Sequence, residues 1–323
     1  HYPFNYSHPL IHGKIKGGVY KIILMLMVST ITLKMLSSFH FMKIIAGSSS
    51  PMLAKNLAKE LGIELANVSI KRFPDGECYV KLNDKIEHAI IVQNTYPDEN
   101  IVELFLLQDA ARRIASKIDV IIPYYGYGRQ DKIFEDGEAI SAEKMAKLIE
   151  IDADKVILVN PHKEHIRNFF SVPAIICDAV PAIARYFEGK VDAVIAPDKG
   201  AVYMAKKAAE IIECSYNYFE KTRISSNEVK MEIKDMDVKE KNLLILDDII
   251  STGGTMKKAV EMLRQQNAAT IYAACIHGLF IGNADERILQ AGCDELVSTD
   301  TIETAYSKVS VAKEIAKAIN LSF

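Results

Sequence analysis

The sequence predicts an α/β protein of two tandem domains, each with a mainly parallel sheet flanked by helices. Three observations carry that prediction. Apolar runs such as residues 243–246 are too short for a helix and continuous, as a strand buried on both faces of a parallel sheet must be. The strand-like Ile90-Ile91-Val92 and Val120-Ile121-Ile122 flank a helical pattern, as do Leu244-Ile245-Leu246 and Ile271-Tyr272-Ala273. The pairs are 30 and 27 residues apart, the length of one βαβ unit. The same plan therefore occurs twice.

Taken in order, residues 43–46 read as a short strand. Ser48-Ser49-Ser50-Pro51 then opens a helix, with a serine N-cap and proline at the first helical position, and Gly62 ends it. Residues 68–73 and 78–82 are strands joined through Pro74-Asp75-Gly76-Glu77, a turn by composition. Further strands are expected at 89–94, 120–122 and 156–159, with helices at 101–115 and 142–149 between them. The strand at 120–122 opens into Tyr124-Tyr125-Gly126-Tyr127-Gly128-Arg129-Gln130-Asp131-Lys132. A parallel strand delivers such residues to its carboxyl edge, where open α/β sheets bind ligands. There an aromatic ring stacks on a base, and arginine grips phosphate. The strand at 156–159 ends in Asn160-Pro161-His162 at the same edge, and a neutral imidazole there suits a metal. In the second half, 193–196 runs into Pro197-Asp198-Lys199-Gly200 and a helix through Ala209, and 216–219 is a strand leading to Lys221-Thr222-Arg223. The expected divisions are 42–180, 181–305 and a closing helix, 306–323, that packs back on the first domain.

With 323 residues, 49% of them hydrophobic, the chain has room for two domains and a large core. A net charge of -3 gives no basic footprint for nucleic acid. Five cysteines, odd in number and without C-x-x-C pairs, read as reduced and packed, which predicts a cytoplasmic protein without a zinc site. Residues 1–41 do not match the rest. Their apolar run at 22–33 is shorter than the roughly 20 residues of a spanning helix, so no membrane partner is expected. This stretch is expected to lie outside the fold, with Met42 as its natural beginning.

The most informative stretch is 242–265, NLLILDDIISTGGTMKKAVEMLRQ. An apolar strand is expected to break at Asp247 and Asp248. Ser251, Thr252, Gly253, Gly254 and Thr255 follow, and then helical spacing at Met256, Ala259, Val260 and Leu263. Such a loop wraps backbone N–H groups around a phosphate at a helix N-terminus. Two carboxylates beside an anion must face something else, either sugar hydroxyls or hydrated Mg2+. A pentose phosphate offers both ends. The nucleotide-binding G-x-x-x-x-G-K-[ST] loop is excluded because its lysine is missing.

D-D-I-I-S-T-G-G-T after an apolar strand resembles the phosphoribosyl-diphosphate loop of the type I phosphoribosyltransferase fold, which alone leaves the reaction open. F-P-D-G-E, Y-G-R-Q-D-K, the histidine after a strand, P-D-K-G, K-T-R and the D-D loop stand in the order found in ribose-phosphate pyrophosphokinases (phosphoribosyl diphosphate synthetases), archaeal ones included. With the GSSSPMLAKNLAKELG opening and Ile276-His277-Gly278-Leu279-Phe280, the resemblance covers essentially 42–323. It implies two type I phosphoribosyltransferase-like domains that convert ATP and ribose 5-phosphate, with Mg2+, into 5-phosphoribosyl 1-diphosphate and AMP. Phe73, Asp75, Gly76 and Glu77 would hold the adenosine part of ATP, and Arg129, Gln130 and Asp131 would continue that site. His162 would serve the nucleotide's Mg2+, and Asp198 a second cation or the sugar. Asp247 and Asp248 would bind the ribose hydroxyls and residues 251–255 the 5-phosphate, with Lys221 and Arg223 as the catalytic pair and Arg223 also on the sugar phosphate. A dimer or higher homo-oligomer is implied, with adenine read partly across the subunit boundary.

Three departures from the family pattern bear on function. Ser251 stands where an aspartate is common, and its hydroxyl still donates to phosphate. Asn160-Pro161 replaces D-L, removing an acid near the histidine. Residues 134–138 are acidic where basic residues usually serve control by phosphate and ADP, which predicts weak or absent control there; strong ADP inhibition that ribose 5-phosphate does not relieve would contradict it. A phosphoribosyltransferase would need only one such domain. A non-catalytic regulatory relative would have lost Lys221, Arg223 or His162, all of which are present.

Overall fold

The computed structural model describes residues 41–223, 229–233 and 236–320, and side chains outside 221–235. The expected residues 225–228 of the loop after Arg223 and all but the last residue of 1–41 lie outside the described residues.

The first lobe begins with β1 (Met42–Ala46) and α1 (Pro51–Leu61), followed by β2 (Glu64–Leu65) and the antiparallel hairpin β3 (Val68–Arg72) and β4 (Cys78–Leu82). Next come β5 (His88–Val92), α2 (Asp98–Arg112), β6 (Lys117–Ile122), α3 (Ser141–Ile149), β7 (Lys155–Val159) and β8 (Ala174–Cys177). Its sheet has six strands in the order β2-β1-β5-β6-β7-β8, every pair parallel.

A buried helix, α4 (Val180–Phe187), leads to the second lobe. That lobe contains β9 (Ala193–Ala196), α5 (Val202–Ile212), β10 (Ser215–Arg223), β11 (Val229–Ile233), β12 (Asn242–Ile250), α6 (Gly254–Gln265) and β13 (Thr270–Gly278). It closes with α7 (Ala284–Gln290), β14 (Glu295–Thr299), β15 (Ser307–Val309) and α8 (Ala312–Asn320). Seven strands run in the order β11-β10-β9-β12-β13-β14-β15, parallel except for β10 with β11. The parallel α/β class read from the apolar runs is the observed one.

Alternation along the strands distributes three cores. Ile45, Ile91 and Val120 point to the outer face of the first sheet, and Ile195, Leu243 and Ile245 to that of the second. Their neighbours Ile44, Ile121, Val194 and Leu244 point inward into one core shared by both lobes and filled by α1, α4, α5 and α8. The lobes are therefore packed on each other through apolar surface.

Three local expectations need correction. Strand β12 does not break at the aspartates: parallel pairing continues through Asp247↔Cys275, Ile249↔His277 and Ile250↔Gly278. The partner strand offers an uninterrupted ladder, and each aspartate's Oδ1 accepts the next residue's backbone N–H, Asp248 N at 2.9 Å and Ile249 N at 2.8 Å. Ser50 occupies the N-cap position of α1 without capping it. Glu303 of the second lobe caps instead, accepting from Met52 N at 2.6 Å and Leu53 N at 3.1 Å. The closing segment is not helical throughout, since residues 307–309 form β15 before α8. That helix does pack on the first lobe, joined by Asn56 Nδ2 donating to Ser310 Oγ at 3.2 Å.

Candidate functional site

The carboxyl ends of β7, β9 and β12 converge on a cavity of about 650 Å3 between the lobes. His162 from the first lobe and Asp198, Asp247 and Asp248 from the second line it. The turn after β7 is built by Asn160, held at φ 36°, a left-handed conformation that asparagine tolerates better than most residues. Its Oδ1 accepts from Ala179 N at 2.7 Å, and its own N–H donates to Cys177 O at 3.0 Å. The turn aims His162 across the cleft, where Nδ1 lies 3.0 Å from Asp248 Oδ2. Asp198, at the end of β9, accepts from Gly200 N at 2.9 Å.

The two aspartates differ electrically. Burial, then the adjacent Asp248 carboxylate, pushes Asp247 well above the usual carboxylate range. Burial also raises Asp248, but hydrogen bonds from His162 and Asp247 outweigh it and hold Asp248 below its ordinary value. One member of the pair thus keeps its proton more readily, and the other stays ionised to face the imidazole.

The loop at 251–255 follows β12 directly. Gly253 has φ 73°, and a Cβ there would sit 3.0 Å from the Ala284 Cβ. Arg287 holds the loop from outside, its Nη2 donating to Thr252 O at 2.8 Å. No side chain caps the start of α6, which leaves its first backbone N–H groups without a side-chain cap, as an anion site requires.

On the first lobe, the loop after β6 is laced to the end of β5. Gly126 N donates to Thr95 Oγ1 at 2.7 Å, and a Cβ on Gly126 would lie 2.3 Å from Thr95 O. The strand thereby delivers Arg129, which shares a small cavity with Tyr124, His162 and His277. Gln130 is occupied structurally, its Oε1 accepting from Ser141 Oγ at 2.6 Å at the start of α3. Asp131 is buried, with Oδ2 3.1 Å from His165 Nε2. Phe73, Asp75, Gly76 and Glu77 stand apart at the exposed tip of the β3–β4 hairpin and line neither cavity. Glu103 anchors the root of that hairpin through Arg72 at 3.3 Å. Lys221 and Arg223 lie at the end of β10, and their side chains are outside the described residues.

Residues that sequence reasoning did not assign also shape the cleft. Lys207 pairs with Asp178 on its wall, and Lys163 and Arg167 line it. Buried His277 packs against Tyr124 with the rings tilted by 54° and their centres 5.0 Å apart, and burial pushes its pKa down to about 4. The only available signal for it was its place in the 276–280 motif.

The donors fit a hard cation shared with substrate. Carboxylates and one imidazole open onto the cavity, and the Asp248 contact fixes His162 while leaving Nε2 available. Among the described residues, no group of three or more His, Cys, Asp or Glu could hold an ion alone. Mg2+ needs no such cage, because it takes one or two protein ligands and completes its shell with water and substrate phosphate.

Residues 42–152 match the family model described as the N-terminal domain of ribose phosphate pyrophosphokinase, and 172–310 match the phosphoribosyl transferase domain. The ribose-phosphate pyrophosphokinase 2 of Archaeoglobus fulgidus is 38% identical over 278 residues, covering 86% of this chain and 100% of that protein. The Pyrococcus furiosus ribose-phosphate pyrophosphokinase is 44% identical over 271 residues, covering 81% and 96%. The crystal structure of phosphoribosylpyrophosphate synthetase from Mycobacterium smegmatis superposes with a TM-score of 0.75 at 28% identity, over 87% of this chain and 98% of the other. Two matched domains in tandem, set around one cleft and aligned with these relatives over nearly their full length, make the chain a member of the ribose-phosphate pyrophosphokinase family.

Proposed function

We infer that the chain transfers the diphosphate group of ATP to the 1-hydroxyl of ribose 5-phosphate, giving 5-phosphoribosyl 1-diphosphate and AMP for nucleotide biosynthesis. The observation that carries this reading is the single cleft in which His162 of one lobe meets Asp247 and Asp248 of the other. One ligand is read by each lobe, and the reacting ends meet between them.

The ribose hydroxyls donate to Asp247 and Asp248, and the 5-phosphate takes the hydroxyls and backbone N–H groups of residues 251–255. Arg129 holds the nucleotide, with Gln130 and Asp131 shaping its loop. The sugar's 1-hydroxyl attacks the β-phosphorus as the bond to the α-phosphate oxygen breaks, and the hydroxyl proton is released. The protein supplies no nucleophile; it aligns two polyanions and offsets charge on the transferring group. Lys221 and Arg223 are the groups for that task. His162 and Asp198 would hold Mg2+, which supplies charge neutralisation on the polyphosphate.

The exposed tip with Phe73, Asp75, Gly76 and Glu77 serves the adenosine of a neighbouring copy, which accounts for its distance from the chain's own cleft and makes the working form a dimer or larger. Five free cysteines fit a reducing cytoplasm. No helix among the described residues is long and apolar enough to cross a membrane.

The test is AMP formation from ATP and Mg2+, with and without ribose 5-phosphate. AMP that appears only with the sugar is the expected result. No AMP, with both ligands still bound, would instead mark a non-catalytic regulatory relative.

A further inference from the structure

His277 does not line the main cavity, yet it touches both segments that carry the nucleotide-side residues. It sits on β13 opposite Ile249, one residue beyond the aspartate pair on β12. Its Nε2 lies 3.1 Å from the backbone oxygen of Asn160, two residues before His162. A carbonyl can only accept, so Nε2 carries the proton. Nδ1 must then accept, and the Thr301 hydroxyl at 2.9 Å donates to it. Thr301 Oγ1 also lies 2.8 Å from Ile276 O, and with its one proton on the bond to Nδ1 that carbonyl accepts from Thr299 Oγ1 at 2.7 Å instead. The opposite face of the imidazole's surroundings is Tyr124, which opens the loop leading to Arg129 and itself packs edge-on against Tyr96 at 5.9 Å.

We propose that His277 is a positioning residue: through the Asn160 carbonyl and the Tyr124 ring, it sets the His162 turn and the Arg129 loop in register with the aspartates of β12. The Asn160 turn needs such a hold. Its left-handed backbone is costly for a residue with a side chain and persists only where surrounding contacts fix it. The other anchors of Asn160 itself come from its own lobe, Ala179 and Cys177 at the start of the segment leading to α4 and Asp178 Oδ1, 3.3 Å from Asn160 Nδ2, while the turn's other cross-lobe contact holds the His162 ring to Asp248. Only the His277 contact ties that carbonyl to the ribose side among these bonds. Loss of the contact would release the nucleotide-side groups and leave the carboxylates and the phosphate loop in place.

This inference rests on the functional reading above and is tested with the same reaction. His277→Ala is compared with His277→Gln, whose amide N–H can still reach the Asn160 carbonyl. In His277→Ala, kcat/KM for ATP should fall roughly 10- to 100-fold, the scale for displacing a positioned group by about 1 Å. The Mg2+ concentration for half-maximal activity should rise in parallel, while ribose 5-phosphate binding measured by calorimetry without nucleotide stays within about two-fold. His277→Gln should recover most of the loss. An equal loss on both ligands, a lower melting temperature with unchanged ATP and Mg2+ dependence, or a Gln variant as impaired as Ala would each overturn the proposal. Should His277→Ala fail to fold, Thr301→Val removes the hydroxyl that orients the ring; a smaller shift confined to ATP and Mg2+ supports the role, and no shift overturns it. A wild-type chain that forms no AMP strikes the functional reading itself, whereas a normal wild type with a non-selective His277→Ala defect strikes only this inference.

Discussion

His162 Nδ1 and Asp248 Oδ2 lie 3.0 Å apart, although one follows a strand of the first lobe's sheet and the other lies within a strand of the second lobe's. In the proposed reading the contact joins a nucleotide-side group to a ribose-side group. Asp248→Asn keeps the shape and removes the charge. Hydrogen bonds to charged groups contribute about 1.5–3 kcal/mol, so ribose 5-phosphate affinity should weaken by roughly 10- to 100-fold, as read by calorimetry. Affinity within two-fold of wild type, on the order of 0.4 kcal/mol, would remove Asp248 from the sugar site.

Asp247 predicts a pH effect on stability. Its carboxyl is raised by burial and by Asp248, so the folded chain keeps a proton that the unfolded chain has already lost. Folding therefore binds protons in the window from the ordinary carboxylate value up to the raised one, and stability falls as pH rises through it. Asp247→Asn abolishes this titration. The ligand-free variant should be more stable than wild type by about 0.5–2 kcal/mol at pH 7.5, with the difference vanishing near pH 4, while ribose 5-phosphate binds more weakly. Chemical denaturation at both pH values checks this; a variant less stable at pH 7.5 would contradict it.

Glu303 reaches from the second lobe to the first turn of α1, accepting from Met52 N and Leu53 N. A carboxylate there satisfies two orphan donors and complements the helix dipole. Glu303→Ala should cost about 1–2 kcal/mol, and Glu303→Gln less, because the amide oxygen still accepts. Urea denaturation gives the comparison. Equal stability for Ala and wild type would show that Ser50 or water takes over the cap.

The parallel sheets were legible because strands buried on both faces leave continuous apolar runs, and the proposed second-lobe site could be named at all because its residues are contiguous from Asp247 to Thr255. What escaped were relationships between distant segments. Nothing near Ser50 signals that its capping role passes to Glu303, and nothing near Asn160 signals that its carbonyl is held by His277. The supposed break at the aspartates failed for the same reason. Local composition disfavours a strand there, but pairing with β13 carries it on to Ile250. Gln130 shows the reverse problem, a residue placed by motif at the nucleotide whose side chain also fastens α3.

The end of β10 supplies the last prediction. Tyr218 pairs with Ala196 in parallel register, so the strand overshoots the end of β9 and continues past the Asp198 turn. Lys199 Nζ lies 3.7 Å from Glu220 Oε1, which ties the overshoot to that turn. Lys221 is the next residue, its backbone paired with Met231 beyond the carboxyl edge of β9, the edge at which Asp198 follows. A lysine at that edge can offset charge that builds on the β-phosphoryl group as AMP departs, a contact stronger in the transition state than in the ground state. Lys221→Ala should therefore lower kcat by at least about 100-fold, the scale for one lost transition-state charge contact, with the KM values for ATP and ribose 5-phosphate little changed. Rapid-quench measurement of AMP separates the chemical step from product release. Near wild-type turnover would remove Lys221 from the mechanism, and a raised KM with unchanged kcat would make it a ground-state binding residue instead.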